Sequence, residues 1–341
     1  LAALKTAAAR AEHPLAMWPD YWELRTRLAE ASVPELEAFY ARWPGSYVED
    51  RLRNDWLLEL GRRRDWAALA RDLPRFRMND DREVACYGLL LRHQAGEDVR
   101  AAALAAWLGQ RELDDGCQLL AATLHAAGQL DRRDVWRRIA QATDQGRLRP
   151  ARAAAQLLGD DTAKAVAELF DSPARYLARK TPGSGAASRQ LAALAVMRMA
   201  ANDPLVARAR MDDPWARGLG RHWAAATWGS IARQAALKQL PEAVDFYRTA
   251  LAIQGEDDDT PELSDETLAW GVRAALRSAR SDEERWALVV QAIEAMSERE
   301  QAEPAWVYWR ARALLARAPG GRHGETGRAA ARRAFESIAS P

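Results

Sequence analysis

The sequence predicts an all-α protein, an α-solenoid in which helical hairpins stack on one another. Three observations lead to this fold class. Ala and Leu dominate the apolar residues, whereas the strand formers Val, Ile, Thr and Phe are sparse, and this bias favours helices. No alternating apolar run predicts a strand. Glycines at turn positions recur at Gly61, Gly96 and Gly128, which are 35 and 32 residues apart, and this period is typical of stacked helical hairpins.

Each of these glycines is predicted to end one helix and to precede its partner in a hairpin. The helical pattern of 55–60 ends at Gly61, a predicted C-cap. Asp65 then starts the next helix as its N-cap. The two later hairpins pair 85–95 with 97–108 and 119–127 with 131–143.

Further breaks interrupt the helical pattern towards the C-terminus, and each is typical of a turn. They lie at 173, 181–185, 203–204, 213–214, 255–261 and 319–324. None is long enough for a flexible linker, and the composition does not shift at any of them. The sequence therefore predicts one helical domain over residues 1–341.

The chain contains 14 tryptophans, most of them inside predicted helices. A solenoid buries surface only between neighbouring hairpins, where wide side chains set the spacing. We therefore expect these rings to be packed between hairpins, although Trp also stacks on sugar rings. They are Trp22, Trp56, Trp66, Trp107, Trp136, Trp223, Trp228, Trp270, Trp286, Trp306 and Trp309.

Charge and motif patterns disfavour most catalytic and binding classes. Lys and Arg number 49 against 48 for Asp and Glu, so no nucleic-acid partner is expected, and the apolar runs are too short for a membrane span. The five histidines are scattered, and the sequence has no HExxH, GxSxG or Walker motif. The acidic run 256–259 is predicted to be a solvated turn, because Glu262 stands where a calcium loop needs Gly. We expect no catalytic residue, no metal ligand and no cofactor in this chain.

Several segments resemble the N-terminal superhelical U-domain of soluble lytic murein transglycosylases. The opening, from His13-Pro14-Leu15 to Tyr21-Trp22-Glu23-Leu24-Arg25, is similar to the opening of that domain. The segments 59–66, 188–193 and 306–315 resemble three further segments of the family, and the spacing of Cys86, Gly96, Cys117 and Gly128 follows it. The resemblance covers about 13–335 and implies a right-handed, U-shaped superhelix.

The family places its catalytic Glu in a separate lysozyme-like C-terminal domain, which we expect downstream of this chain. Glu336-Ser337 does not match the family motif, because Ile338, Ala339 and Ser340 follow it. The resemblance implies that the parent enzyme cleaves the β-1,4 bond between N-acetylmuramic acid and N-acetylglucosamine, and forms a 1,6-anhydro product without water. This chain alone is then expected to be inactive, and to guide glycan strands beside its own catalytic domain in the periplasm.

The two cysteines, Cys86 and Cys117, fall on the first helices of two successive predicted hairpins, which are neighbours in a solenoid. An exported protein would oxidise such a pair if the Cα atoms lie within about 7 Å. Two buried thiols are the alternative. The first residue is Leu1 rather than Met, which is consistent with removal of a leader or of an upstream segment.

The alternative function is a cytoplasmic TPR-like solenoid that binds a protein or peptide, since composition and period fit both. If the chain belongs to a murein enzyme, cell-wall synthesis proteins are further candidate partners. The cysteines and the Tyr21-Trp22 opening favour the murein enzyme.

Overall fold

The computed structural model describes the helical body of the chain. It covers residues 6, 13, 15–179, 185–253, 263–317 and 322–339, with side chains from 327 to 338 in the last segment. These residues form α-helices, two short 3-10 helices (Leu73–Arg75 and Pro214–Gly218) and no strand, which confirms the all-α prediction. Pro14, most of the predicted turn 181–185, the predicted turn 255–261 with its acidic run 256–259, and residues 319–321 of the predicted turn 319–324 lie outside the described residues. The chain divides into two compact units, unit 1 (Leu1–Val135) and unit 2 (Trp136–Pro341).

Unit 1 is a stack of short helical hairpins. Its helices are α1 (Met17–Thr26), α2 (Val33–Arg42), α3 (Tyr47–Arg63), α4 (Trp66–Asp72), α5 (Arg82–Gln94), α6 (Arg100–Gly109) and α7 (Asp115–Ala126), followed by α8 (Arg132–Asp144), which contains the unit boundary. The odd-numbered helices α1, α3, α5 and α7 pack side by side in that order. This is the stacking predicted for the first helices of successive hairpins.

Short polar side chains begin most helices of unit 1. The Asp65 carboxylate accepts the backbone N–H of Ala68 at 3.1 Å, which confirms the predicted N-cap. At the start of α2, Ser32 and Glu35 form a reciprocal capping box. Hydrogen bonds from the Ser32 backbone and hydroxyl, and then from Arg27, lower the pKa of Glu35 from 4.5 to about 2.

The prediction that Gly61 ends its helix was wrong. α3 continues to Arg63, and the residue in the left-handed conformation is Arg64, with φ of 59°. Gly61 lies inside the helix, where a Cβ atom would overlap the ring of Tyr87 on α5. This glycine is therefore explained by the close approach of two helices rather than by a turn.

The other two turn glycines were predicted correctly. Gly96 follows α5 with φ of +86°, and Gly128 follows α7 with φ of +72°. Both adopt the left-handed conformation that favours glycine after a helix.

Unit 2 contains the remaining described helices of the chain. They are α9 (Leu148–Gln156), α10 (Asp160–Asp171), α11 (Pro173–Arg179), α12 (Ala186–Asn202), α13 (Pro204–Arg210), α14 (Arg221–Leu237), α15 (Ala243–Ile253), α16 (Asp265–Ser278), α17 (Asp282–Glu294), α18 (Glu298–Gln301), α19 (Pro304–Arg317) and α20 (Arg322–Ala339). Consecutive helices form hairpins here too, including α14 with α15, α16 with α17, and α19 with α20.

One buried cation joins the part of α8 that belongs to unit 2 to two further helices of that unit. Arg233 on α14 lies 3.1 Å from a carboxylate oxygen of Asp144 on α8, and 3.1 Å from one of Glu266 on α16. It also donates to the backbone carbonyl of Asp144 at 2.6 Å. Since its side chain is 7% exposed, these contacts compensate for the cost of burying the charge.

The tryptophans follow the prediction in part. Trp56, Trp107, Trp136 and Trp306 are buried, and the rings of Trp136 and Trp223 meet edge to face at 5.9 Å. Trp22 differs, because 42% of it is exposed on α1.

Candidate functional site

A cleft of about 400 Å³ opens where α1, α3 and α5 lie side by side in unit 1. We call this cleft, together with the aromatic side chains at its end, the α1–α3 groove. The residues that line the cleft are Arg25, Thr26, Leu28, Ala29, Asp55, Leu58, Glu59, Arg62 and Glu83. Its volume falls in the range of small-ligand sites.

Polar contacts hold α1 against α3 along the groove. The Tyr21 hydroxyl donates to Asp55 at 2.7 Å, and the Arg25 Nε atom lies 3.4 Å from the same carboxylate. Burial, and then the hydrogen bond to Asp55, raise the pKa of the Tyr21 phenol. Tyr21 therefore stays a neutral donor that fixes the Asp55 carboxylate.

The charges of the cleft are layered. Asp55 and Glu59 are 11% and 6% exposed, whereas Arg25 and Arg62 are 56% and 65% exposed. Glu59 pairs with Arg62, and with Arg63 at 2.7 Å. The carboxylates thus lie at the base, and guanidinium groups lie at the solvent side.

Burial, and then the charge of Asp114, raise the pKa of Glu83, which also lines the cleft. Its Oε1 atom accepts the Gly116 backbone N–H at 3.2 Å and lies 3.2 Å from the Tyr87 hydroxyl. These contacts tie α5 to α7, so we assign Glu83 a structural role.

Aromatic rings form the other end of the groove. The Trp18 ring lies 5.8 Å from that of Trp22 and 6.0 Å from that of Tyr47, the first residue of α3. Trp22 is 42% exposed and Tyr47 is 56% exposed. This cluster was not predicted from the sequence, although Trp18 and Trp22 have the i, i+4 spacing that places both on one helix face.

The predicted cysteine pair lies next to the groove, between α5 and α7. Cys86 and Cys117 form a disulfide in the structure, with Cα atoms 4.9 Å apart, and both are fully buried. Beside it the Tyr87 hydroxyl lies 2.8 Å from an Asp115 oxygen. Arg64 binds both oxygens of Asp115, at 2.5 and 3.0 Å. Covalent and polar contacts thus fix α3, α5 and α7 together behind the cleft.

Glu336, which the sequence suggests by its dipeptide only, lies on α20 far along the chain from the groove. Its carboxylate lies 2.9 Å from Arg332 one turn earlier, and both side chains are exposed. This is the geometry of a surface helix pair. The described residues contain no group of three or more His, Cys, Asp or Glu placed to hold a metal ion. Among the described helices, none has the length and apolar character needed to cross a bilayer.

Comparison with known proteins finds similar folds among solved structures. No family model and no curated protein matches the chain. The X-ray structure of an inactive mutant of the lytic transglycosylase Slt from Pseudomonas aeruginosa matches with a TM-score of 0.55 and 22% identity, over 98% of this chain and 55% of that one.

Two further structures match more weakly. The 70 kDa soluble lytic transglycosylase from Escherichia coli has a TM-score of 0.47 and 21% identity, and the complex of a 70 kDa soluble lytic transglycosylase with bulgecin A has 0.47 and 20%. Both cover 98% of this chain and 54% of the other. This chain thus spans about half the length of these structures, and the Pseudomonas match shows that it shares a fold with that half.

Proposed function

We propose that this chain is the helical, substrate-guiding region of a periplasmic lytic transglycosylase that cleaves peptidoglycan. The observation that carries the proposal is the fold shared with the Pseudomonas Slt structure over nearly the whole chain. The resemblance of the opening and of 306–315 to family segments, which is independent of the fold, supports it.

In this proposal the chemistry belongs to a lysozyme-like domain of the parent enzyme. That domain would cleave the β-1,4 bond between N-acetylmuramic acid and N-acetylglucosamine, and would release a 1,6-anhydro product. General acid–base cleavage needs a carboxyl group with a raised pKa beside the scissile oxygen. Glu83 is engaged with α7, and Glu336 is an exposed member of an ion pair, so neither fits that role.

The helical region would instead hold the glycan strand. A rigid surface with exposed aromatic rings and arginines can retain a polysaccharide without cutting it. The Cys86–Cys117 disulfide supports an oxidising compartment such as the periplasm, because disulfides are rare in cytosolic proteins.

The test is co-sedimentation of the purified chain with insoluble murein sacculi, followed by mass spectrometry of the supernatant. We expect the chain to sediment with sacculi, but not with cellulose, and to release no 1,6-anhydromuropeptides. A chain that stays in the supernatant at low salt would contradict glycan binding and favour the peptide-binding solenoid. Anhydromuropeptides above a blank would contradict the assignment of catalysis to another domain.

A further inference from the structure

At the aromatic end of the α1–α3 groove, two aromatic rings are exposed to solvent and do not pack in the core of unit 1. Trp18 packs against the core, whereas Trp22 and Tyr47 project beyond it and remain 42% and 56% exposed. Contiguous exposed aromatic surface on a folded domain is characteristic of binding sites. Ring faces of Trp and Tyr pack against the C–H face of a pyranose, and their polar edges tolerate water.

The cleft end of the groove presents cations on its solvent side. Arg25 and Arg62 present guanidinium groups to solvent, and their partners Asp55 and Glu59 lie nearly buried beneath them. A guanidinium has five N–H donors in a planar fork, so each arginine can contact its buried partner and a further anion. The planar fork matches a carboxylate in particular.

The distance between the two ends requires a ligand longer than one sugar. On α3, Arg62 lies 15 positions after Tyr47, which is about 22 Å along the helix axis. Trp22 and Arg25 are one turn apart on α1, so the two helices present ring and cation in the same order. A chain of linked pyranoses can contact both ends.

We propose that the α1–α3 groove binds an acidic amino-sugar oligosaccharide, with a pyranose on Trp22 and Tyr47 and a carboxylate at Arg25 and Arg62. This inference rests on the proposed function for the choice of polymer. In a peptidoglycan strand, alternate sugars carry a lactyl group and a peptide that ends in carboxylates. A neutral oligosaccharide would use the aromatic end alone.

Calorimetric titration with two soluble probes tests the groove directly. The acidic probe is the disaccharide dipeptide GlcNAc–MurNAc–L-Ala–D-Glu, and the neutral probe is N,N′-diacetylchitobiose. Trp22→Ala and Tyr47→Ala are each expected to weaken binding of both probes about tenfold, which corresponds to one lost ring contact. Tyr308→Ala is the matched control, because Tyr308 is an aromatic of α19 in unit 2 that is 40% exposed.

Arg62→Gln separates charge recognition from ring stacking. Glu59 keeps Arg63 as a partner in this variant, so the fold is preserved, which circular dichroism would verify. Binding of the acidic probe is expected to weaken about fivefold at low salt and to depend less on salt than in the wild type. Binding of the neutral probe should not change.

Two results would overturn the inference. One is the absence of saturable binding of the acidic probe to the wild-type chain. The other is equal binding by the folded Trp22→Ala, Tyr47→Ala and Tyr308→Ala variants. The sacculus assay keeps the two proposals apart: sedimentation of the wild type together with unaffected groove variants refutes the groove and retains the proposed function. Failure of the wild type to sediment refutes the proposed function, whatever the titration shows.

Discussion

Removal of the Cys86–Cys117 disulfide should destabilise unit 1 by an amount set by the length of the chain segment that the bond closes. The cysteines are 31 residues apart in the chain. In the chain-entropy model, closing a loop of this length restricts the unfolded chain and stabilises the fold by about 3.7 kcal/mol. That is a large fraction of the stability of a domain this size.

The perturbation is the double variant Cys86→Ala and Cys117→Ala, compared with the wild type with and without a reductant. Urea unfolding is followed by circular dichroism, and hydrogen exchange of α5 and α7 reports on unit 1 alone, because two units need not unfold together. We expect reductant to lower the stability of the wild type to about that of the double variant. It should leave the double variant unchanged.

Thiol titration of the denatured, unreduced protein gives the decisive control. An intact bond leaves no reactive thiol. Two thiols per chain would refute the disulfide and, with it, the support that it lends to an oxidising compartment. If reductant does not shift the unfolding curve of the wild type, the expected stabilisation of the fold by the disulfide is refuted.

Three further perturbations test the packing and the charges. Gly61→Ala should cost about 1–3 kcal/mol in urea unfolding, because its Cβ overlaps the ring of Tyr87. Gly109→Ala, in a helix with room for a methyl group, should be neutral or stabilising, and equal effects of the two would contradict the overlap. Arg233→Ala should destabilise unit 2 by about 2–3 kcal/mol, since it removes the cation between two carboxylates; a loss below about 0.5 kcal/mol would contradict this. Glu35 has a pKa of about 2 in the folded chain, so the stability it contributes is present above pH 4.5 and is lost as the pH falls towards 2. Glu35→Gln should therefore lose less thermal stability than the wild type over that interval, and identical pH profiles would contradict the low pKa.

Features that depend on neighbours in the chain were predictable from the sequence. The cap at Asp65 and the left-handed glycines Gly96 and Gly128 are decided within a few residues. The helical period and the composition likewise sufficed for the all-α class. The pairing of Cys86 with Cys117 was predicted because stacked hairpins place equivalent helices side by side.

Apart from the cysteine pair, features that depend on which side chains meet between helices were not predictable. Gly61 has the local sequence of a C-cap, but its role is decided by Tyr87, which lies 26 residues later on another helix. Trp22 has the same local pattern as the buried tryptophans, and only the packing of α1 against α3 leaves it at the surface. The α1–α3 groove draws its lining from three helices, so its chemistry becomes visible only when they are assembled.

The contact between Gly61 and Tyr87 makes substitutions at these two positions depend on each other as related sequences diverge in evolution. A side chain at position 61 requires a smaller residue at 87, so the order of substitution matters: position 87 must change first. That first change removes the hydroxyl that contacts Asp115 and weakens the anchor of Arg64, whose left-handed backbone carries a conformational cost. The intermediate is therefore less stable than the Gly61–Tyr87 pair. Such sign epistasis should keep the glycine and the tyrosine together among chains that retain this stack of helices.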